Sequence, residues 1–433
     1  MRPIWVWLKG PLPAVPWPHS ESRPDVDLTP EHVVVVGASL AGLRAVEAAR
    51  RLGFPGRLTL VGDEEHLPYD RPPLSKEYLG DLPGVAPMLA TAEDLRELDV
   101  ELLLGAPAEA LDLTARSLLI GGESVAYDRL LIATGATPRR LPGSEGLSGV
   151  CTLRGLSDAI RIRAAFDAGA RVVVIGAGFI GSELASSARA RGLDVTIVEA
   201  LTTPLVRAVG AGAGAALSAL HERNGTELLC GVGVEGLEQQ RGAVTGVRLA
   251  DGRLLPADLV IVGIGVVPAT GWLAGSGLEL ENGIVVDETL RATADVWAAG
   301  DVARWMSPDF ETLLRLEHWT NAAEMGAHAM KNLLDPEAAE PYRHIPYFWS
   351  DWYGHRIQFA GVPTGEPEVV TGSWTSDEFA ALYHDGDRVV GALTLDRRGD
   401  IMKYRAMIGR RTSRREALAF AASRRQPIVA AAG

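Results

Sequence analysis

Two short glycine-rich segments have the spacing that binds the phosphates of a dinucleotide. The first is Gly37-Ala38-Ser39-Leu40-Ala41-Gly42, and the second is Gly176-Ala177-Gly178-Phe179-Ile180-Gly181. In this pattern the first glycine allows a tight turn, the second lets the backbone approach a pyrophosphate, and the third lets helix and strand pack closely. The first segment has a serine at the middle position, and its small hydroxyl can still donate to a phosphate.

An acidic residue stands at the predicted end of the strand that follows each segment. These residues are Asp63 and Glu199. A carboxylate at this point of a dinucleotide-binding unit binds ribose hydroxyls. Two such units in one chain predict two dinucleotides, a flavin and a nicotinamide, side by side.

The surrounding pattern predicts the elements that position these residues. Each glycine segment follows a β-branched run, which is typical of a buried parallel strand, and precedes an alanine-rich helix. Residues 388–395 alternate like a strand after an aromatic stretch, which favours a small α+β domain at the end of the chain. The predicted strands are 33–36, 57–61, 130–133, 171–175, 194–198, 259–263 and 296–299, and the predicted helices are 40–52 and 179–191.

Composition excludes several classes of protein. The chain has 433 residues, enough for two to three domains, and a formal net charge of −13. This charge disfavours nucleic acid as the main partner, and no apolar run approaches the roughly 20 residues of a membrane span. Two cysteines, Cys151 and Cys230, exclude a disulfide scaffold, and we interpret both as packing thiols. Residues 1–30, rich in proline and tryptophan, are interpreted as a flexible extension, with a partner-docking arm as the alternative.

Five further segments resemble one flavoprotein family, the NADH-dependent ferredoxin reductases of bacterial oxygenase systems. The likeness covers residues 32–408, and P-P-L-S-K and F-W-S-D are its most selective parts. The segments are 60–76 (L-V-G-D-E-E-H-L-P-Y-D-R-P-P-L-S-K), 131–135 (L-I-A-T-G), 299–301 (A-G-D), 317–322 (E-H-W-T-N-A) and 348–354 (F-W-S-D-W-Y-G).

The resemblance implies the α/β fold of glutathione reductase, with two Rossmann-like dinucleotide-binding domains and a C-terminal α+β domain. The NADH domain is expected to be inserted in the FAD domain. The expected divisions are an extension at 1–30, the FAD domain at 31–141 and 266–341, the NADH domain at 142–265, and the C-terminal domain with an arginine-rich tail at 342–433.

The resemblance also implies a function. A cytoplasmic flavoprotein, monomeric or homodimeric, would take a hydride from NADH onto FAD and pass electrons to a ferredoxin. That ferredoxin would supply a cytochrome monooxygenase or a Rieske-type oxygenase. Disulfide reductases of this fold need a cysteine pair after the first glycine segment, but no cysteine precedes Cys151. An NADH oxidase or a rubredoxin reductase stays open as an alternative, as does a redox-sensing binding protein of the apoptosis-inducing-factor type.

The family's motifs assign roles to particular residues. Lys76 and Glu183 are expected to pair beside the flavin and to form the catalytic pair, and no metal site is expected. His318 and His355 are not expected to act as acid–base groups. The predicted cofactor-binding residues are Gly37, Ser39, Leu40, Ala41, Gly42, Asp63, Arg71, Lys76, Arg154, Gly176, Gly178, Phe179, Ile180, Gly181, Glu183, Glu199, Gly265, Gly300, Asp301, Glu317, His318 and Trp319.

Two departures from the family pattern leave alternatives open. Trp352 stands where the family usually has glutamine beside the flavin, and it either shields the ring and alters electron exit or simply fills space. The arginines of the tail form either a solvated helix face or a docking patch for an acidic ferredoxin. They are Arg410, Arg411, Arg414, Arg415, Arg424 and Arg425.

Overall fold

The computed structural model of the protein describes residues 30–80 and 85–424. Except for Pro30, the predicted N-terminal extension lies outside the described residues, so both interpretations of it stay predictions. Arg425 also lies outside them.

The described chain opens with the first predicted β–turn–α–β unit, and one helix and several strands follow. Val33, Val34, Val35 and Val36 of the first strand are all buried, as expected at the centre of a parallel sheet. The elements are β1 (His32–Val36), α1 (Leu40–Arg51), β2 (Arg57–Val61), α2 (Ala92–Glu97), β3 (Val100–Leu103), β4 (Ala108–Asp112), β5 (Ser117–Ile120), β6 (Glu123–Ala126), β7 (Arg129–Ile132) and β8 (Ala136–Pro138).

The second β–turn–α–β unit lies in a separate five-stranded parallel sheet. Its elements are β9 (Val150–Cys151), α3 (Leu156–Asp167), β10 (Val172–Ile175), α4 (Phe179–Ala190), β11 (Val195–Glu199), α5 (Val206–Val209), α6 (Ala211–Arg223), β12 (Glu227–Cys230), β13 (Val234–Gln240), β14 (Ala243–Leu249), β15 (Leu254–Pro256), β16 (Leu259–Val262) and β17 (Val266–Pro268). The strand order is β12-β11-β10-β16-β9.

The chain then returns to the first sheet. The next elements are β18 (Ile284–Val286), β19 (Arg291–Thr293), β20 (Val296–Ala298), β21 (Ala303–Ser307), β22 (Thr312–Leu314) and α7 (Trp319–Leu334). The completed six-stranded sheet has the order β19-β20-β7-β1-β2-β3. The first glycine turn, at the end of β1, therefore lies where the strand order reverses, which is the usual ligand crevice of an open α/β sheet.

The last part of the described chain is an antiparallel sheet covered by two helices. Its elements are β23 (Tyr347–Trp352), β24 (His355–Gly361), β25 (Glu368–Thr371), β26 (Phe379–Asp385), β27 (Arg388–Leu395), α8 (Arg398–Gly409) and α9 (Arg414–Ser423). The strand order is β23-β24-β27-β26-β25. The predicted fold class is thus confirmed, while the exact domain limits stay predictions.

The interpretation of both cysteines as packing thiols is wrong for one of them. Cys151 is buried, but Cys230 is exposed. Cys230 is the last residue of β12, and β12 is an edge strand of its sheet, so no further strand covers it.

The tail arginines that the structure describes lie on or near α8 and α9, at the edge of the last sheet opposite β23. Three of them are ion-paired: Arg411 with Glu311, Arg414 with Glu368 on the edge strand β25, and Arg424 with Asp400. Because acidic side chains already neutralise part of the patch, this arrangement favours the solvated-surface interpretation.

In the part of the chain that the structure describes, no helix is both long and apolar enough to cross a membrane.

Candidate functional site

The first glycine turn leaves the start of α1 open to an anion. A Cβ on Gly37, whose φ is +124°, would lie 2.1 Å from the Ala133 carbonyl oxygen, and a Cβ on Gly42 would lie 2.0 Å from the Gly37 carbonyl oxygen. α1 has no side-chain cap and no acidic residue in its first turn. The first amides of the helix, at Leu40 and Ala41, are therefore available to a phosphate together with the positive end of the helix dipole.

Arg71 brings a positive charge to the same turn. Its guanidinium donates to Ser39 Oγ at 3.3 Å, to Glu64 Oε1 at 2.6 Å and to the Arg154 carbonyl oxygen at 2.6 Å. Although burial acts to raise it, the pKa of the Glu64 carboxyl is lowered by the charge of Arg71 and by the hydrogen bond from Tyr69. The cluster holds a guanidinium beside the predicted phosphate position.

The end of β20 places Asp301 at the same edge of the sheet. Gly300 has a φ of +77°, and a Cβ on it would lie 3.2 Å from the Cβ of Ala41 in α1. Asp301 Oδ2 lies 3.5 Å from Arg154 Nη2. Burial, and after it the charge of Arg71, lowers the pKa of Arg154. Predicted ligands from three distant segments thus meet at one edge of the first sheet.

Trp319, at the start of α7, connects this edge to the C-terminal sheet. Its Nε1 donates to Asp70 Oδ1 at 2.6 Å, and its ring centroid lies 6.2 Å from that of Trp349 in β23. The aromatic segment of the C-terminal sheet therefore faces the same region as the predicted flavin ligands.

The second glycine turn has the same construction with one informative difference. A Cβ on Gly176 would lie 2.4 Å from the Gly263 carbonyl oxygen, and a Cβ on Gly181 would lie 2.2 Å from the Gly176 carbonyl oxygen. At Gly178, in contrast, the nearest atom to an added Cβ is 4.0 Å away. The protein itself leaves room at this middle position, as a close approach by a pyrophosphate requires.

Glu199 ends β11 directly beside this turn. Its Oε2 accepts a hydrogen bond from the Ala177 amide at 3.0 Å, and its Oε1 accepts one from the Leu201 amide at 2.8 Å. Two backbone donors thus fix the carboxylate at the place predicted for binding a ribose.

We expect Glu199→Gln to weaken the preference for NADH over NADPH. The carboxylate repels a 2′-phosphate, and losing this repulsion corresponds to about 1–3 kcal/mol, or about fivefold to 150-fold in the ratio of kcat/KM values. Glu227→Gln, on the neighbouring strand β12, is the matched control and should leave the ratio unchanged. Equal kcat/KM for the two nucleotides in the unaltered protein would refute the assignment.

Lys76 and Glu183 meet at α4, the helix that begins at the second glycine turn. Lys76 Nζ lies 2.8 Å from Glu183 Oε2, and their side chains are 14% and 2% exposed. Lys76 follows the 3-10 turn Pro72–Ser75, whereas Glu183 lies in the first part of α4. The structure brings the predicted pair together, and the contact of this pair with a flavin stays a prediction.

The turn between β23 and β24 connects the C-terminal sheet to the unit that contains the second glycine turn. Tyr353 has a φ of +52°, a left-handed conformation that costs energy for a bulky residue. Its hydroxyl is 2.8 Å from His221 Nδ1 and 2.8 Å from Thr226 Oγ1, and its amide donates to Ser186 Oγ at 2.6 Å. These contacts hold the backbone in the strained conformation.

Acidification should weaken this contact, because burial lowers the pKa of His221 to about 4. The unfolded chain titrates near the ordinary value of about 6.5, so it binds more protons than the folded chain between these values. The contribution of His221 to the free energy of unfolding should be fully present above about pH 6.5. It should fall by roughly 1.4 kcal/mol per pH unit as the pH drops from there towards 4.

Urea unfolding at pH 7 and pH 5 measures this effect. From pH 7 to pH 5, the free energy of unfolding of His221→Gln should fall by roughly 2 kcal/mol less than that of the unaltered protein. An identical loss in both proteins would show that His221 does not carry the pH dependence.

The remaining predicted residues have less distinctive surroundings. Asp63 is exposed at the end of β2 and Gly265 is exposed after β16, while Ile180 is 48% exposed in the second turn. Glu317 pairs with Arg315 at 2.7 Å. His355 lies 2.6 Å from Asp396, a pairing that accounts for it structurally.

Two residues of the site were not predicted. Ser75 Oγ and Ser350 Oγ each donate to Glu183 at 2.5 Å. Both belong to selective motifs, P-P-L-S-K and F-W-S-D, so their hydroxyls could have been considered as partners for Glu183. The contacts themselves join segments far apart in the chain, and periodicity cannot show such contacts.

The residues present fit two bound dinucleotides. α1 and α4 both begin without a side-chain cap or a first-turn acid. At the start of α7, the buried atoms His318 Nδ1 and Arg315 Nε have no hydrogen-bond partner among the described residues. Burial lowers the pKa of His318 to about 3, which keeps the imidazole neutral. These open polar groups match the predicted FAD position, and the second turn matches NADH.

Family models cover most of the chain. Residues 31–326 match the pyridine nucleotide-disulphide oxidoreductase model, and residues 347–425 match the reductase C-terminal model.

Curated relatives and solved structures extend this similarity over nearly the full length. Rhodocoxin reductase of Rhodococcus erythropolis is 37% identical over 381 residues, covering 87% of this chain and 89% of the relative. The ferredoxin–NAD(+) reductase component of the p-cumate 2,3-dioxygenase system of Pseudomonas putida is 35% identical, with 88% and 94% covered. The crystal structure of the ferredoxin reductase for the CYP199A2 system from Rhodopseudomonas palustris matches with a TM-score of 0.83 and 34% identity, with 88% and 95% covered.

Proposed function

This chain belongs to the pyridine nucleotide-disulphide oxidoreductase family, and on that ground we propose that it is the NADH-dependent reductase of a ferredoxin. It is an oxidoreductase that uses FAD and NADH. The ferredoxin in turn supplies a cytochrome monooxygenase or a Rieske-type oxygenase, as the names of its relatives indicate for those proteins.

The Lys76–Glu183 ion pair is the observation that carries the proposal. Lys76 comes from the segment after the first glycine turn, and Glu183 from the helix that begins at the second. A buried pair that joins the two nucleotide units fits the place where a nicotinamide and a flavin would meet. When bound, the flavin supplies the chemistry, accepting a hydride and donating single electrons.

The protein's own residues bind and orient the two cofactors and keep water out of the site. The amides at the starts of α1 and α4 would hold the two pyrophosphates, with Arg71 adding positive charge at the first. Asp301 would accept a hydrogen bond from a hydroxyl of the flavin nucleotide, and Glu199 would bind the ribose of the nicotinamide nucleotide. Trp349 and Phe348 in β23 cover the site from the C-terminal sheet and keep water out.

Electrons leave the flavin directly to an outside carrier in this proposal. The sequence contains two cysteines, and both lie after the first nucleotide unit, so a thiol pair cannot relay electrons as it does in disulfide reductases. The cytoplasmic location and the monomeric or homodimeric state belong to the proposal as well.

Steady-state oxidation of NADH with and without iron–sulfur ferredoxins tests the function. The protein should bind FAD and oxidise NADH rapidly only when a ferredoxin is present, with cytochrome c as the final acceptor. Rapid production of peroxide or water in air without any carrier would instead support an oxidase.

A further inference from the structure

Glu183 is held by three donors from two separate segments. Ser75 ends the 3-10 turn and Lys76 directly follows it, whereas Ser350 comes from β23 of the C-terminal sheet. The three distances are 2.5 Å from Ser75 Oγ, 2.8 Å from Lys76 Nζ and 2.5 Å from Ser350 Oγ. Ser350 is therefore the one donor that depends on the C-terminal sheet.

Ser350 is itself oriented by Trp352. The indole Nε1 of Trp352 donates to Ser350 Oγ at 2.8 Å. An indole nitrogen can only donate, so it occupies an acceptor position of the hydroxyl. Glu183 Oε1 is the one acceptor left for the Ser350 hydroxyl proton within residues 30–80 and 85–424, so the proton is directed to it.

Trp352 is held in place by two neighbouring rings. Its ring stacks on His221 with centroids 5.3 Å apart and lies 5.9 Å from the ring of Phe179, the first residue of α4. The side chain is 1% exposed. Because the indole is fixed and donates in one direction, the hydrogen bond from the Ser350 hydroxyl to Glu183 also has a fixed direction.

We propose that Trp352 is a positioning residue for the electron-transfer site, acting through the Ser350 hydroxyl to hold Glu183 and thereby Lys76. The inference rests on the proposed function for its kinetic consequence. It gives Trp352 a role beyond filling space, and it makes the C-terminal sheet part of the machinery that orients the Lys76–Glu183 pair.

The test compares Trp352→Phe, Ser350→Ala and the double variant in the FAD-loaded protein. Phenylalanine keeps an aromatic ring on His221 but removes the N–H. Ser350→Ala should slow the bleaching of the flavin by NADH about tenfold, the size expected when a hydrogen bond to a charged group is lost. Trp352→Phe should slow it to a similar extent, because the Ser350 hydroxyl then loses the donor that orients it toward Glu183. The double variant should be no slower than Ser350→Ala alone, because residues that act in series are not additive.

Trp305→Phe is the matched control. Trp305 is 0% exposed, and its Nε1 has no hydrogen-bond partner among the described residues. The same substitution there should leave the bleaching rate within about twofold of the unaltered protein, because no hydrogen bond is removed. The concentration of NADH that gives half the limiting rate should not change in any of the variants.

Two further readouts do not depend on turnover. The flavin midpoint potential should shift by the same amount in Trp352→Phe and Ser350→Ala and stay constant in Trp305→Phe. The ¹⁵N-indole NMR resonance that Trp352→Phe removes should move in Ser350→Ala. An unmoved resonance, or rate losses that multiply in the double variant, would overturn the inference.

Failure of the proposed function would look different. If NADH did not reduce the flavin at all, the proposed function would be wrong. The shifts of the flavin midpoint potential and of the Trp352 indole resonance would still decide the role of Trp352. If reduction were fast and Trp352→Phe behaved like Trp305→Phe, the inference alone would fail.

Discussion

Lys76→Met will slow the bleaching of the flavin by NADH at least about tenfold, or reduce the flavin content of the purified protein. Methionine keeps much of the length of the side chain but removes the charge. Glu183 would then lie 2% exposed with only the hydroxyls of Ser75 and Ser350 as partners. Removing one member of a buried ion pair typically costs about 3–5 kcal/mol, so we expect this to be the largest single effect.

Lys331→Met controls for the loss of a lysine. Lys331 pairs with Glu340 at 2.7 Å, but the two side chains are 45% and 65% exposed. Exposed pairs contribute little to stability, so bleaching and flavin content should stay unchanged. Adding Glu183→Gln to Lys76→Met should restore stability in part, because no uncompensated charge remains. Full flavin content and an unaltered rate in Lys76→Met would return Lys76 to the status of an ordinary loop lysine.

Gly178→Ala will raise the KM for NADH at least about tenfold without unfolding the protein. Gly178 has φ −75° and ψ 176°, which alanine adopts without strain. An added Cβ would lie 4.0 Å from the nearest protein atom. The methyl group would therefore meet only the pyrophosphate of the bound nucleotide. The KM, the flavin content and the melting temperature together separate a binding effect from a folding effect.

Gly233→Ala is the control in the same unit, since a Cβ there would have no atom within 4 Å. It should leave the KM, the flavin content and the melting temperature as they are. If Gly178→Ala and Gly233→Ala bind NADH equally well, the second glycine turn does not bind the nucleotide.

Local patterns in the sequence predicted the two nucleotide units well. β-branched runs, glycine spacing and alanine-rich helices are local signals, and the resulting strands and helices differ from the structure by about one residue at their ends. The predicted strand starting at Arg171 begins at Val172, and the predicted helix ending at Arg191 ends at Ala190. Here the hydrophobic pattern and the turn chemistry point to the same element.

Contacts between distant segments could not be predicted in this way. Ser350 and Glu183 are 167 residues apart, and Tyr353 and His221 are 132 residues apart. Their contact depends on how the C-terminal sheet docks on α4 and α6, which no local period encodes. The tail arginines show the same limit, because the charge run is visible in the sequence but its partner Glu368, 46 residues before Arg414, is not.

An anaerobic stopped-flow experiment with two mixing steps tests the central claim most directly. The FAD-loaded protein is first bleached with one equivalent of NADH and is then mixed with either oxidised ferredoxin or oxygenated buffer. The proposed function predicts that ferredoxin restores the flavin absorbance quickly while its own spectrum shows reduction, and that oxygen does so much more slowly. Rapid restoration by oxygen, with no ferredoxin able to accept electrons, would contradict it and identify an oxidase.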